Sequence, residues 1–245
     1  MDQDLPAIAN MSAITISREY GSGGGVIAAL LAKRLQWQLI DHDVVKQVAQ
    51  MLNISEKEAG EYDERIDSLA SRIFKSLRVA HPTRADIIEI PSSVDSHAFY
   101  KARTEIIEGA VATGHVVIVG RGAQAHLAQR RDVLHVRIIA PLEARIVYVM
   151  SRESLDREAA HARILQKDQE RTRYLETFYH RHPSDPHLYD LVLNTGILDL
   201  ESVVETISLV LERKASRLSL PTQELGPGVG LPRYPGQPED YWPRK

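Results

Sequence analysis

The chain of 245 residues contains no cysteine, so disulfides and thiolate metal sites are excluded. That composition fits a reducing compartment. Positive charge is not in excess: the formal net charge is −3, which argues against a global nucleic-acid or membrane-surface binder. No face interleaves aromatic with basic residues, as a nucleic-acid platform requires. No apolar run reaches about 18 residues, the length of a membrane-spanning helix. The start, Met1-Asp-Gln-Asp-Leu-Pro6, is acidic and lacks the apolar stretch of a signal peptide. The ten histidines show no H-E-x-x-H or other zinc spacing, and no G-x-S-x-G elbow occurs. A cytoplasmic protein that binds neither nucleic acid nor membrane is the expectation. The length suits one domain with additions, large enough to stand on its own core.

The most telling stretch that is present is Ile14-Thr-Ile-Ser-Arg-Glu-Tyr-Gly-Ser-Gly-Gly-Gly-Val-Ile27. An apolar, β-branched strand enters a glycine-rich turn, and a helix then opens with Ile27, Leu30, Leu31 and Leu35 on one face. Such a unit holds phosphates, because glycines let backbone N–H groups approach and the helix N-terminus adds partial positive charge. A P-loop reads G-x-x-x-x-G-K-[ST], with Lys on the phosphates and a hydroxyl on Mg²⁺. Here Gly23 fits the second glycine, Gly24 stands at the Lys position, Gly25 at the hydroxyl position, and Arg18 at the first glycine.

Short apolar runs alternate with helical patterns along the rest of the chain. Strands are expected at 13–17, 38–40, 116–119, 134–140 and 191–194, and helices near 26–36, 43–52, 96–113, 141–151, 158–180 and 200–214, the last capped by Asp199. This alternation predicts a doubly wound α/β sheet. Residues 1–11 read as a loose leader. Residues 53–95 break the rhythm as a helical insert, opened by the capping box Ser55-Glu-Lys-Glu58. Residues 216–245 are rich in Pro and Gly and read as an extended tail, whose Tyr234, Tyr241 and Trp242 offer a docking surface for a protein partner.

Four places carry candidate chemistry. The turn Gly21, Ser22, Gly23, Gly24, Gly25 is expected to cradle phosphates. Arg18 ends the first strand at its carboxyl edge, where ligands bind in open α/β sheets; it either replaces the missing cation or pairs with Glu19. Asp41, at the tip of the second strand, either faces a ligand or caps the next helix. In Val116-Val-Ile-Val-Gly-Arg-Gly122, Arg121 stands between two glycines after four apolar residues; a guanidinium there either recognises phosphate or carboxylate with two prongs or forms a structural salt bridge. Arg163, Lys167 and Arg171 recur at i, i+4 and i+8 on one helix face. That face is either a charged lid or a solvated surface laced by pairs such as Asp168–Arg171.

Ile14-Thr-Ile-Ser-Arg-Glu-Tyr-Gly-Ser-Gly-Gly, Leu39-Ile-Asp41, Val119-Gly-Arg-Gly122, Lys167-Asp-Gln-Glu-Arg171-x-x-Tyr174 and Leu188-Tyr-Asp-Leu-Val-Leu-Asn-Thr195 together resemble the cytidylate kinase-like family. The resemblance covers roughly residues 12 to 213. It implies a P-loop NTPase-type three-layer sandwich: a five-stranded parallel sheet in a domain over 12–215, an acceptor-side insert at 53–95 and a lid region at 152–182. The implied reaction moves the γ-phosphoryl group of ATP to a nucleoside monophosphate, CMP or dCMP, with Mg²⁺. Residues Gly21–Gly25 would hold the donor phosphates, Asn194 and Thr195 would lie near the donor base, Asp41 and Arg121 would face the acceptor, and Arg163, Lys167 and Arg171 would form the lid. The metal ligands are not assigned. Gly24 and Gly25 depart from the true cytidylate kinases, which carry the Lys and the hydroxyl. The alternative is therefore a weak or inactive nucleotide-binding regulator or scaffold.

Overall fold

The computed structural model describes residues 8–41 and 96–226. Five strands form one parallel sheet: β1 (Ala13–Arg18), β2 (Gln38–Ile40), β3 (Val116–Val119), β4 (Val133–Ile139) and β5 (Leu191–Asn194), in the order β2-β3-β1-β4-β5. The chain builds one half of the sheet, returns beside β1 as β3, and then builds the other half. A crevice therefore opens over the carboxyl ends of β1 and its neighbours, where such sheets hold their ligands. The register sets Ile16 beside Val119 on one side of β1, and Ser17 beside Arg137 on the other.

The strands are short and apolar because both sheet faces are covered. On one face α1 (Gly24–Leu35) and α6 (Leu200–Ala215) bury Ile27, Leu31, Val203, Ile207 and Leu211 against Ile14, Ile16, Val136 and Ile138. On the other, Ile106, Ile107 and Ala110 of α2 (Ser96–Thr113) and Leu127 after the one-turn α3 (Ala123–His126) pack on Ala13, Val116, Ile118 and Val133. Two further helices, α4 (Leu142–Glu153) and α5 (Arg157–Tyr179), share a third apolar cluster of Ile146, Val149, Ala160 and Ile164. Asp199 caps α6 by accepting from Ser202 N at 2.9 Å, as its position in the sequence suggests. Among the described residues no helix is long and apolar enough to cross a membrane.

Several boundaries differ from the sequence reading. Ile8 and Met11, expected in a loose leader, are buried in the main core, so the order of the domain begins before residue 12. The first helix starts at Gly24 rather than Val26, because Gly23 in the left-handed region serves as its N-cap. The tail is docked at its base: Arg131 donates to the carbonyls of Arg217 and Leu220 at 3.1 and 2.8 Å, and Leu218 packs on the core. The helix expected at 43–52, the insert at 53–95 and the tail beyond 226 lie outside the described residues.

Candidate active site

The glycine-rich turn joins β1 to α1, and each glycine answers to a different constraint. Gly21 and Gly23 have φ of 82° and 80°, a conformation costly for residues with a Cβ. A Cβ at Gly21 would also meet Val149 Cγ2 at 2.9 Å. Ser22 points inward. It is 2% exposed, and its hydroxyl donates to the carbonyls of Glu19 at 2.9 Å and Ile138 at 3.3 Å. The Thr195 hydroxyl donates to the Ser22 carbonyl at 2.9 Å, and Asn194 Oδ1 accepts from Gly196 N. Ser22 and Thr195 thus brace the turn through their side chains, and neither Asn194 nor Thr195 lines the clefts described next.

Two clefts open above the sheet. The smaller, about 420 Å³, runs along the turn and takes in Gly21, Gly23, Gly24, Gly25 and Asp41. The larger, about 680 Å³, takes in Arg121, Gln124, Arg137 and, from α5, Lys167 and Arg171. Arg18, Glu19, Tyr20 and Arg171 line both, so two guanidinium groups stand where the clefts meet.

Arg18 explains why Gly24 is a glycine. A Cβ at Gly24 would lie 2.7 Å from Arg18 Cβ and 3.1 Å from Arg18 Cγ. The stem of Arg18 fills the space that a side chain at Gly24 would occupy, so the missing lysine and the arginine at residue 18 are one packing arrangement. Gly25, by contrast, faces open space. At its far end Arg18 lies against Gly120, where Nη1 would sit 1.9 Å from an added Cβ. Burial first, and then the charges of Arg171 and Arg121, push the Arg18 guanidinium down to about 9. It still carries its proton at neutral pH. Among the described residues no carboxylate forms an ion pair with it. Arg171 is held below its ordinary value too, again chiefly by burial. A semi-buried cluster of like charges of this kind is the electrostatic complement of a phosphate-bearing ligand.

Arg121 reaches this cluster from a strained backbone. Gly120, Arg121 and Gly122 have φ of 73°, 64° and 69°, and three successive left-handed residues turn the chain sharply after β3. Arg121 is the costly member, since it bears a Cβ. Gly122 is fixed by packing as well: a Cβ there would meet Tyr179 Cε2 at 2.4 Å.

Helix α5 is fastened to the turn by Asp168 and by Arg171. Asp168 Oδ1 accepts from Tyr20 N at 2.8 Å, and Oδ2 accepts from Arg145 Nη1 at 2.5 Å. Arg145, 11% exposed in its side chain, also lies 3.6 Å from Glu19, which accepts from Ala140 N. Arg171 donates to the Arg18 carbonyl at 3.2 Å and stacks on the Tyr20 ring at 5.2 Å. Its contact with Asp168 is longer, at 3.4 Å, so Asp168 serves Tyr20 and Arg145 before Arg171. Lys167 pairs with Glu170 at the rim of the larger cleft. Arg163 lies 3.6 Å from Glu153 and lines neither cleft. The arginine face read from the sequence therefore divides: Arg171 is at the junction, Lys167 at the rim, and Arg163 outside.

Arg137, Gln124 and Arg145 escaped the sequence reading, whereas Asp168 stands in it as a partner of Arg171, a pair the structure shows at 3.4 Å. A signal existed for Arg137, an arginine inside the apolar strand Val133–Ile139. Arg145 carried none, because its pairing with Asp168 crosses from α4 to α5. As for Mg²⁺, the hydroxyl that a P-loop offers is absent at Gly25, and Ser22 is turned inward. Carboxylates of Glu19, Asp41 and Glu153 do line the cleft along the turn. Since Mg²⁺ keeps several waters and needs only one or two carboxylates beside substrate phosphates, the residues present fit it.

The sequence pattern of the cytidylate kinase-like family matches residues 13–197. A uronate isomerase of Corynebacterium glutamicum is 28% identical over 60% of this chain, which spans 28% of that protein's length. A cytidylate kinase of Archaeoglobus fulgidus is 27% identical over 82% of this chain and 95% of its own. Among solved structures, an uncharacterized protein of Eubacterium ventriosum superposes with a TM-score of 0.60 at 21% identity, covering 83% of this chain and 99% of that one. That last likeness concerns the fold.

Proposed function

The chain belongs to the cytidylate kinase-like family, with a P-loop kinase-type α/β fold, and on that premise we propose that it transfers the γ-phosphoryl group of ATP to a nucleoside monophosphate, CMP or dCMP. The observation that carries the proposal is Arg18, a cation without a described carboxylate partner, wedged over Gly24 and lining both clefts. In this reading the donor phosphates lie on the turn Gly21–Gly25 and the acceptor occupies the larger cleft beside Arg121, with Asp41 on the acceptor nucleotide. A phosphate oxygen of the acceptor attacks the γ-phosphorus. The bond from that phosphorus to the β–γ bridging oxygen breaks, and ADP leaves with the electron pair. An ionised acceptor phosphate has no proton to remove, so no general base is required.

What the protein supplies is position and charge. Arg18 and Arg171 stabilise the equatorial oxygens of the phosphoryl group in transit, the task given elsewhere to a P-loop lysine. Arg121 grips the acceptor phosphate with two N–H groups. Lys167 adds charge at the rim, and Arg163 acts through the lid rather than on substrate. Asn194 and Thr195 border the donor side, Thr195 through its bond to the Ser22 carbonyl. Mg²⁺ would be held by carboxylates lining the cleft along the turn, Asp41 and Glu19 among them, and would neutralise donor phosphate charge when bound.

A second reading, a nucleotide-binding regulator without turnover, draws on one observation: no hydroxyl stands at Gly25. A coupled assay with ATP–Mg²⁺ against CMP, dCMP, UMP and AMP separates the two. Turnover with a cytidine nucleotide foremost supports the kinase. A melting temperature raised by ATP with no turnover on any acceptor supports the regulator. No turnover and an unmoved melting curve would remove both.

A further inference from the structure

Arg137 enters the larger cleft from β4 and has no part in the reaction described above. Its Nη1 donates to Ser17 Oγ at 3.2 Å and lies 3.4 Å from the Tyr189 hydroxyl, and its guanidinium rests 5.6 Å from the Tyr189 ring centre. Both hydrogen-bond partners are neutral. The Tyr189 hydroxyl is itself fixed by donating to the Pro183 carbonyl at 2.9 Å, so the guanidinium is held in place from below. Its Nε and Nη2 donate to no described residue, and no described carboxylate pairs with it.

The carboxylates of this cleft are already committed. Asp168 binds Arg145 and the Tyr20 amide, Glu19 binds the Ala140 amide beside Arg145, and Glu170 takes Lys167. A positively charged group is thus held on the wall of a cleft whose negative charge is spent elsewhere. Gln124 adds a second, independent sign of a ligand. It is 4% exposed, it lines the same cleft, and its Oε1 is buried with no hydrogen-bond partner. A buried amide oxygen left unsatisfied is destabilising unless a ligand satisfies it.

We propose that the larger cleft takes an acceptor with a second anionic group, a phosphate or a carboxylate, bound by Arg137, while a donor group of the same molecule bonds to Gln124. The first anion sits at Arg18, Arg121 and Arg171, where transfer takes place. For a nucleotide acceptor the second anion is a further phosphate on the ribose. This assignment rests on reading the larger cleft as the acceptor side.

The test is calorimetric titration of the full chain with inorganic phosphate alone. The wild type is expected to bind phosphate in at least two classes of site, and Arg137→Met to lose one of them. Arg137→Lys, which keeps the charge without the two-pronged geometry, is expected to weaken that class alone by about tenfold. A single class in the wild type, or every class intact in Arg137→Met, would overturn the proposal. If Arg137→Met does not fold, an unchanged titration of Arg137→Lys does the same. Acetate as titrant distinguishes the sources: displacement of phosphate from the Arg137 class marks a carboxylate site, and no displacement marks a phosphate site. Cytidine 3′,5′-bisphosphate is then compared with CMP. Tighter binding of the bisphosphate, lost in Arg137→Met, extends the assignment to nucleotides. Two phosphate classes with no binding of either nucleotide would discard the nucleotide-acceptor reading and leave the Arg137 site standing.

Discussion

At the scale of single residues, Gly24 and Gly25 are neighbours with opposite constraints. An added methyl at Gly24 runs into Arg18 Cβ at 2.7 Å, whereas one at Gly25 meets nothing within 4 Å. Gly24→Ala is therefore expected to cost about 1–3 kcal/mol, the range for overpacking, and to displace Arg18. Gly25→Ala should be neutral or stabilising by up to about 1 kcal/mol, since alanine is the better helix former. Chemical denaturation of the two variants checks this, and equal losses would contradict the packing account. The same distances bear on restoring a P-loop lysine. Gly24→Lys alone should be disruptive, and should become tolerable only once Arg18→Gly removes the Cβ as well as the Cγ that it meets. The sequence marks Arg18 as a candidate for the missing charge but not its packing against Gly24, because that contact spans a turn whose path the residue order does not state.

At the scale of elements, α5 is tied to the turn through Asp168, with Tyr20 N and Arg145 as its partners. Asp168→Asn keeps an oxygen for the Tyr20 amide but removes the charge that Arg145 faces. A loss of about 1–3 kcal/mol is expected, with faster amide exchange along α5 and little change in α1 or α6. Uniform exchange across all three helices would mean that α5 is not a separable lid. The extent of α5 was legible to within a residue at either end, as were β2, β3 and β5, since periodicity and caps are local. Local rules also marked Arg163, Lys167 and Arg171 as one face. They could not reveal that Glu153 draws Arg163 away, because that contact is between helices. Short α3 was missed, as four residues carry no period.

At the scale of the whole molecule, acid sensitivity draws on several described groups, Glu170 and Asp199 among them, and most on His135 and Asp132. Burial holds His135 down at about 4, below its ordinary range, so the unfolded chain binds the proton more readily. That contribution to stability is complete above about pH 6.5 and is lost as the pH falls towards 4, at up to about 1.4 kcal/mol per pH unit. Asp132, held at about 2 chiefly by its bond from Arg130, contributes above its ordinary value and loses that contribution only as the pH falls towards 2. Unfolding free energies measured from pH 7 to 3 should decline already between pH 6.5 and 4. A flat profile there would contradict the assignment of His135 as a buried neutral ring. The parallel sheet and the covering of both its faces were legible from short apolar strands alternating with helices. The inward turn of Ile8 and Met11 was not, because two apolar residues in a short segment set no period.

Whether Arg18 does the work of the absent lysine is decided by single-turnover transfer from ATP to CMP. Wild-type protein should transfer the phosphoryl group. Arg18→Ala should fold, bind ATP and lose transfer by about 10²–10³-fold, the effect of removing one preorganised donor from a developing charge. Transfer at the wild-type rate in Arg18→Ala would contradict that role.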